Sequence, residues 1–460
     1  MIALTLAQLA HVLNGRLLLA PGDTPETIVS GDVDTDSRLI RPGGIFVAKP
    51  GEVTDGHLFV GAAVDAGAAV AIVESAVATG PARPEASRST AAVRGEGVGT
   101  VSQIVVGDAI SALADLARHV VADVRDAGAL RIVGITGSNG KTTTKNMLAR
   151  ILEGEGETVA PHASFNNEVG APLTMLRVTT RTRYLVSEFG ASAPGEIARL
   201  AGLVEPDVGV VLMVGMAHAG GFGGIETTFK AKSELVRALR PGGVAVLNAD
   251  DPRVAAMEPI AAEHGVSVRW FGRGAGASVH ADAVDVTAEG TRCVITVDGV
   301  SSPLHLRVLG EHHIMNALAA IAAATALGVS LGDCIARLET VELAERWRMQ
   351  PLGSDRVRII NDAYNASPDS MAAALRTLAQ ITGPGERTVA VLGAMSELGE
   401  YADEEHDRVG LLAVRLGIQR IVVVGPDARR MYLEAIAQGS WDAEAVFFTT
   451  ADEAFEYLQG

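Results

Sequence analysis

The sequence predicts an α/β protein of three domains, with a mostly parallel sheet in the central domain and a Rossmann-like, doubly wound C-terminal domain. Three observations carry this expectation. "RYLVSEF", "VGVVLMV" and "GVAVLN" are continuous apolar runs, the pattern of parallel strands buried on both faces. "RIVGIT" feeds directly into the glycine turn "GSNGK" and then a helix-forming stretch from Thr142 to Leu152, which makes the central domain a P-loop domain. From about residue 335, "RVRIINDAY", "TVAVLGA", "RIVVVG" and "AVFFTT" read as strands, each followed by a helical segment, a βα repeat.

A chain of 460 residues is too long for one ordinary core. The expected division is 1–105, 106–333 and 334–460. In the first region "GIFVA" (44–48) and "AAVAIVE" (68–74) are short strands, and "HLFVGAAVDAG" between them has helical spacing. The Pro/Ala/Ser/Arg-rich stretch "TGPARPEASRSTAAVRGEG" reads as an exposed loop or insertion. "DAISALADLARHVVADVRD" (108–126) is an amphipathic helix, with Ile110, Leu113, Leu116, Ala117 and Val120 on one face. "NALAAIAAATALG" (316–328) reads as a buried, Ala-rich helix.

Composition narrows the function classes. Net charge is −17 and no Lys/Arg run exceeds a pair, so no nucleic-acid partner is expected. The two cysteines, Cys293 and Cys334, lack metal-ligand spacing and read as buried thiols of a reducing compartment. The N-terminus lacks the early positive charge of a signal peptide, and no apolar run reaches membrane-spanning length. A cytoplasmic monomer is expected.

The glycine turn carries the chemistry. Gly137 and Gly140 allow close backbone approach to phosphates, and Lys141 supplies a point charge for the β- and γ-phosphates of ATP. Thr142 is placed to ligate Mg²⁺ through its hydroxyl. Only two residues separate Gly137 from Gly140, against four in the common P-loop. Glu188 ends "RYLVSE" at the C-terminal end of a parallel strand, where a carboxylate caps a loop or ligates the metal. His218, in "LMVGMAHAGGFGG", follows a strand and precedes a glycine-rich stretch. In the first region Asp36-Ser37-Arg38 sits in a turn, where a hydroxyl and a guanidinium can hold a diphosphate or close a surface ion pair. Asn166 and Asn167 in "SFNNEVGAPLTML" are amides that can bind a peptide or sugar, or cap the helix that follows.

The short loop resembles that of the Mur ligase family, T-G-x-x-G-K-[ST], which Thr136 to Thr142 matches position by position. Further resemblances lie at "AH" before "FG" (217–223), "FKAKSEL", "GEHHIMNALAA", "ERWRMQ", "NDAYNASPDSM" and "DTDSRLIRPGGIFVAKPGEVTDGHLF". The family implies an ATP- and Mg²⁺-dependent amide ligase. It implies that Ser138, Asn139 and Thr143 complete the ATP-binding loop and that Asn316, Arg348 and Asp362 approach the nucleotide. It implies His218 near a second metal, and Lys232 as a carbamylated lysine that becomes a metal ligand, with Lys230 left on a solvated helix face. Catalytic roles then fall to Lys141, His218 and Lys232.

The N-terminal string implies a UDP-binding module in which Ser37 and Arg38 contact the substrate. Tyr364 and Asn365 would approach the ligands from the third region. "KTTTK", with Lys145, and "DAYNASPDSM" resemble the branch that adds D-alanyl-D-alanine to UDP-MurNAc-tripeptide. A third-residue-adding or folylpolyglutamate-type ligase is the alternative within the family, and a P-loop ATPase switch the alternative outside it. The chain departs from the family pattern at His313, where Asn is usual, at Trp347, where Gly is usual, and at Ala394, where many members carry Asp.

Overall fold

The computed structural model describes residues 1–51, 54–79, 99–162, 164–216, 223–342, 346–354, 356–438 and 444–459. The loop expected at 79–97 and the candidate His218 therefore lie outside the described residues, apart from Thr79. Two compact units emerge: Met1–Ile132, Gly156–Ser187 and Gly202–Val204 form one, and Val133–Glu155, Glu188–Ala201 and Glu205–Gly460 the other.

In the first unit, β1 (Leu4–Thr5) pairs with β3 (Ile28–Val29). A second sheet has the order β2-β7-β6-β5-β4, from β2 (Arg16–Leu18), β4 (Val33–Asp34), β5 (Ile45–Val47), β6 (Val70–Val73) and β7 (Ser102–Val105). Its central strands β5, β6 and β7 are parallel, β5 and β6 are fully apolar, and Phe46, Ala71 and Val73 are wholly buried. Helix α1 (Leu6–Val12) opens with a capping box between Thr5 and Gln8. Helix α2 (Val60–Asp65) follows the "DGH" turn. Helix α3 (Ala109–Ala127) starts at Asp108, whose carboxylate accepts from Ser111 N. It buries the apolar face read from the sequence, except that Ile110 is only partly buried. This unit also carries β9 (Thr158–Val159) and, up to Ser187, its parallel partner β10 (Tyr184–Glu188).

In the second unit, β8 (Arg131–Thr136), β11 (Val208–Val211), β12 (Val244–Asn248), β13 (Ser267–Gly272) and β14 (Val279–Thr287) lie parallel in the order β8-β11-β12-β13-β14. β15 (Gly290–Val297) and β16 (Val300–Leu306) extend that edge antiparallel. β11 and β12 are buried almost throughout, as their unbroken apolar runs require. Helix α4 (Lys141–Glu153) follows β8, α5 (Ile225–Arg237) follows β11, and α6 (His312–Ala326) packs against α4 through its alanines. Small side chains permit that close approach. Helix α6 begins at His312, so Asn316 lies one turn inside it rather than at its start.

The C-terminal region of this unit has three parallel strands, β19 (Val389–Leu392), β20 (Arg420–Val424) and β21 (Ala445–Phe448). Helix α7 (Pro368–Ile381) starts at Ser367, with Pro368 at the first helical position. Helices α8 (Ala402–Arg415), α9 (Arg429–Ala437) and α10 (Ala451–Gln459) alternate with the strands as the βα repeat predicts. Leu375, Leu392, Val409, Ile421, Val423 and Met431 form their shared core. One expected strand behaves differently. Residues Arg358–Asn361 (β18) pair antiparallel with Gln350–Gly353 (β17) and do not join the parallel sheet. Ile359 stays 49% exposed, so this strand is half of a surface ribbon rather than a buried parallel strand.

Candidate active site

The glycine loop is built by two backbone conformations that side chains resist. Gly140 is the N-cap of α4 with φ +84°, and a Cβ there would collide with Asn316 Oδ1. Gly137 has φ +153°, with Leu212 against the space where a Cβ would stand. Neighbouring segments brace the loop. Thr136 Oγ1 donates to Phe189 O at 2.9 Å. Ser138 N donates to Met213 O at 3.0 Å, and Ser138 Oγ accepts from Gly215 N at 2.9 Å. Asn139 Oδ1 accepts from Ser367 Oγ at 3.2 Å, so the loop crest is tied to the cap of α7. Lys141 Nζ donates to Gly137 O at 2.8 Å, folding back over the loop.

Charge is concentrated on this loop. Removal from solvent lowers the pKa of the Lys141 ammonium, Glu188 opposes that shift and the Arg348 guanidinium adds to it. Thr142 Oγ1 donates to Glu188 Oε2 at 3.0 Å, and both residues are buried. Two hard oxygen donors thus meet beside the loop lysine, a fitting donor set for Mg²⁺, which keeps several waters and takes few protein ligands. Lys232, on α5, is 2% exposed. Burial, and then the charge of Lys141, bring its pKa down to about 7. A large part of Lys232 is therefore the neutral amine that carbamate formation requires. Lys230, two positions earlier, is exposed, because a two-residue step along a helix turns a side chain to nearly the opposite face.

The other nucleotide candidates of this unit gather into two groups. Thr143 is buried in the first turn of α4. Thr144 Oγ1 donates to Asn316 Oδ1 at 3.3 Å, and Asn316 Nδ2 lies 3.2 Å from His313 Nδ1. Arg348 stacks over the Tyr364 ring, its guanidinium carbon 4.1 Å from the ring centre. Asp362 Oδ1 accepts from Met349 N at 2.9 Å. Burial raises the Asp362 pKa to about 6, against this hydrogen bond and Arg348. Trp347 and Met349, on either side of Arg348, hold left-handed backbone at φ +61° and +48°. This conformation explains the glycine expected at 347. Asn365 Oδ1 accepts from Ala366 N at 2.9 Å and the residue is exposed, as Tyr364 is.

The substrate-side candidates lie in the first unit. Ser37 is buried. Arg38 is exposed and forks onto Asp36, Nε to Oδ1 at 2.9 Å and Nη2 to Oδ2 at 2.6 Å, which realises the surface ion pair. That pairing holds the Asp36 pKa down to about 2. Asn167 takes the capping role: its Oδ1 accepts from Gly170 N at 2.9 Å. Asn166 precedes it in the same turn. His57 of the "DGH" string is a buried brace, its Nδ1 2.6 Å from Asp55 Oδ1 and its Nε2 accepting from Glu74 N at 2.9 Å. Sequence reasoning left His313 and Thr144 unassigned, and read Ser367 only as a helix N-cap; the first two hold Asn316 and the third holds Asn139. The departure from pattern at His313 was the only signal of a contact with the loop.

A parallel sheet that ends in a short phosphate loop, with a half-buried lysine, a Thr–Glu oxygen pair and a second, fully buried lysine of lowered basicity, has the makings of a nucleotide-binding site. The chain belongs to the Mur ligase family, enzymes that use ATP to form amide bonds. Family models match at residues 32–120 (Mur ligase family, catalytic domain), 135–324 (Mur ligase middle domain) and 347–459 (Mur ligase, glutamate ligase domain). The UDP-N-acetylmuramoyl-tripeptide--D-alanyl-D-alanine ligase of Mycobacterium tuberculosis is 42% identical over 455 residues, 96% of this chain and 87% of the relative. The Escherichia coli ligase of the same name is 34% identical over 426 residues, 92% and 86% of the two chains. The crystal structure of MurF from Acinetobacter baumannii superposes with a TM-score of 0.86 at 32% identity, covering 100% of this chain and 92% of the other. Among the described residues no helix is long and apolar enough to cross a membrane.

Proposed function

We propose that this ligase joins D-alanyl-D-alanine to UDP-MurNAc-tripeptide at the expense of ATP, releasing ADP and phosphate, in peptidoglycan precursor synthesis. The observation that carries the reading is 42% identity over nearly the whole chain to a ligase named for this reaction. The ADP complex of MurF from Thermotoga maritima, 25% identical with a TM-score of 0.76 over 94% of this chain and 90% of that one, supports the nucleotide part.

The terminal carboxylate of the tripeptide attacks the γ-phosphorus, ADP leaves, and an acyl phosphate results. The free amine of the dipeptide then attacks the acyl carbon, and the tetrahedral adduct collapses to the amide and inorganic phosphate. Lys141 and the backbone amides of Asn139 to Thr143 hold the phosphates and oppose the charge that develops on them. Arg348, Asp362 and Asn316 position the nucleotide. Thr142 and Glu188 would hold one Mg²⁺, and His218 with carbamylated Lys232 a second. When bound, the metal neutralises phosphate charge in the transition state. Ser37, Arg38, Asn166 and Asn167 bind the UDP-sugar peptide, and Tyr364 and Asn365 contact the ligands from the C-terminal side.

The division of labour follows the regions: residues 1–105 take the UDP precursor, 106–333 take ATP, and 334–460 bring the dipeptide. A cytoplasmic monomer fits these substrates. The test measures phosphate release from ATP with UDP-MurNAc-tripeptide, with and without D-alanyl-D-alanine, and weighs the product. Phosphate release that ignores the dipeptide, with no pentapeptide by mass, would sink the reading.

A further inference from the structure

His313 stands where the family pattern has Asn and lies outside every role assigned above. It is 3% exposed and sits in the first turn of α6, its ring 4.1 Å from that of His312. Its Nδ1 is 3.2 Å from Asn316 Nδ2, while its buried Nε2 makes no hydrogen bond among the described residues. With Asn316 donating to Nδ1, the neutral ring carries its hydrogen on Nε2. A buried, unsatisfied ring nitrogen is costly. A residue present only to fill space would be Leu or Met, which avoid that cost. The Nδ1 contact is therefore what the ring contributes.

The contact has a consequence one step away. Asn316 is 7% exposed, and its Oδ1 takes the Thr144 hydroxyl at 3.3 Å. The same oxygen lies over the Cα of Gly140, where a Cβ would collide with it. Gly140 is the left-handed residue that turns the phosphate loop into α4. A side-chain amide can rotate by half a turn and exchange its oxygen and nitrogen. Thr144 on one side and His313 on the other each engage one end of the amide and so hold its plane. The orientation observed puts the carbonyl, not the NH₂ group, against the loop crest.

We infer that His313 is a positioning residue: its Nδ1 fixes the Asn316 amide, and the fixed amide holds the Gly140 crest of the phosphate loop in its nucleotide-binding shape. The inference rests on the loop being the ATP site. It gives the His at 313 a task that an Asn side chain could share, because Asn Oδ1 and His Nδ1 are both bonded to Cγ and occupy nearly the same place. Gln carries its acceptor one bond further out, and Leu carries none.

The experiment compares His313→Asn, His313→Leu and His313→Gln in the full chain, using ADP affinity by calorimetry, KM for ATP, kcat and Tm. Loss of one buried hydrogen bond corresponds to roughly a three- to tenfold change in an equilibrium constant. His313→Leu and His313→Gln should raise ADP Kd and ATP KM by about that factor, with kcat within about twofold of the parent. His313→Asn should return both constants to the parent range. Thr144→Val, which removes the opposite constraint at nearly constant shape, should raise KM in the same way, and it serves where the Leu variant does not fold. Unchanged nucleotide affinity in the Leu, Gln and Val variants would overturn the inference. So would an Asn variant as impaired as Leu, since that outcome reports packing alone. A parent chain that binds no ADP would overturn the nucleotide-site reading itself, and this inference with it.

Discussion

Asp362→Asn separates the electrostatic cost of this site from its hydrogen bonding. Asparagine keeps an oxygen where Asp362 Oδ1 accepts from Met349 N, and removes only the charge. Burial raises the Asp362 pKa from 3.8 to about 6. The folded state therefore binds its proton more tightly than the unfolded state does. Between those two values the unfolded chain carries fewer protons, so stability falls as pH rises. Above pH 6 the full cost is present; below the unfolded value it vanishes. A shift of about two units is worth about 3 kcal/mol at pH 8 and about 1 kcal/mol at pH 4.5, as upper bounds for a partly buried group. Asp362→Asn should thus exceed the parent in stability by up to these amounts, a gap that widens by about 2 kcal/mol between the two pH values. The assay is urea unfolding of both proteins at pH 4.5 and 8, compared at each pH so that effects common to both cancel. A difference that is flat with pH, or that grows toward acid, would refute the reasoning. If Asp362 positions the nucleotide, the stabilised variant should also show a raised KM for ATP.

Four further outcomes test the loop and Lys232 on α5. Lys141→Ala should lower kcat by about a thousandfold with Tm close to the parent, and full ligation activity would remove Lys141 from the site. Lys232→Ala should be nearly inactive and partly rescued by added short-chain carboxylate. Because Lys232 titrates near 7, bicarbonate should activate CO₂-stripped parent protein more at pH 8 than at pH 6, as the neutral amine rises from roughly a tenth to nine tenths; equal activation at both pH values would exclude a carbamate there. Gly140→Ala should cost about 1–2 kcal/mol for its left-handed backbone alone, in addition to the collision with Asn316 Oδ1, and should weaken ADP binding by at least tenfold; parent-like calorimetry would contradict the account of the loop crest.

The geometry of the candidate phosphate loop was readable because it is local in sequence. The spacing of Gly137, Gly140, Lys141 and Thr142 is set by one turn and one helix start, so six consecutive residues carry it. Helical geometry also separates Lys230 from Lys232, but the composition of "FKAKSEL" does not say which face turns inward; the burial of Lys232 does. The strand at Arg358–Asn361 was misplaced for the converse reason. Its apolar run resembles a buried parallel strand, yet its partner is the neighbouring Gln350–Gly353 rather than β19. Pairing choice is not encoded in a single segment. Asn167 as a cap and Asn316 inside a helix were ambiguous because an amide serves a backbone or a ligand equally well. His313 was legible only as a departure from pattern, and its task needed the positions of three side chains.

The hydrogen bond from Ser367 to Asn139 bears on how such enzymes are recombined. The two residues are 228 positions apart in sequence, so the phosphate loop and the cap of α7 are inherited separately whenever a crossover falls between them. A chimera that takes its C-terminal third from a relative keeps the tie if position 367 offers a donor. Serine does so through its hydroxyl, and an asparagine there could do so through its amide. A donor segment with alanine there would leave the crest of the loop without its distant tether, even with every phosphate-contacting residue in place.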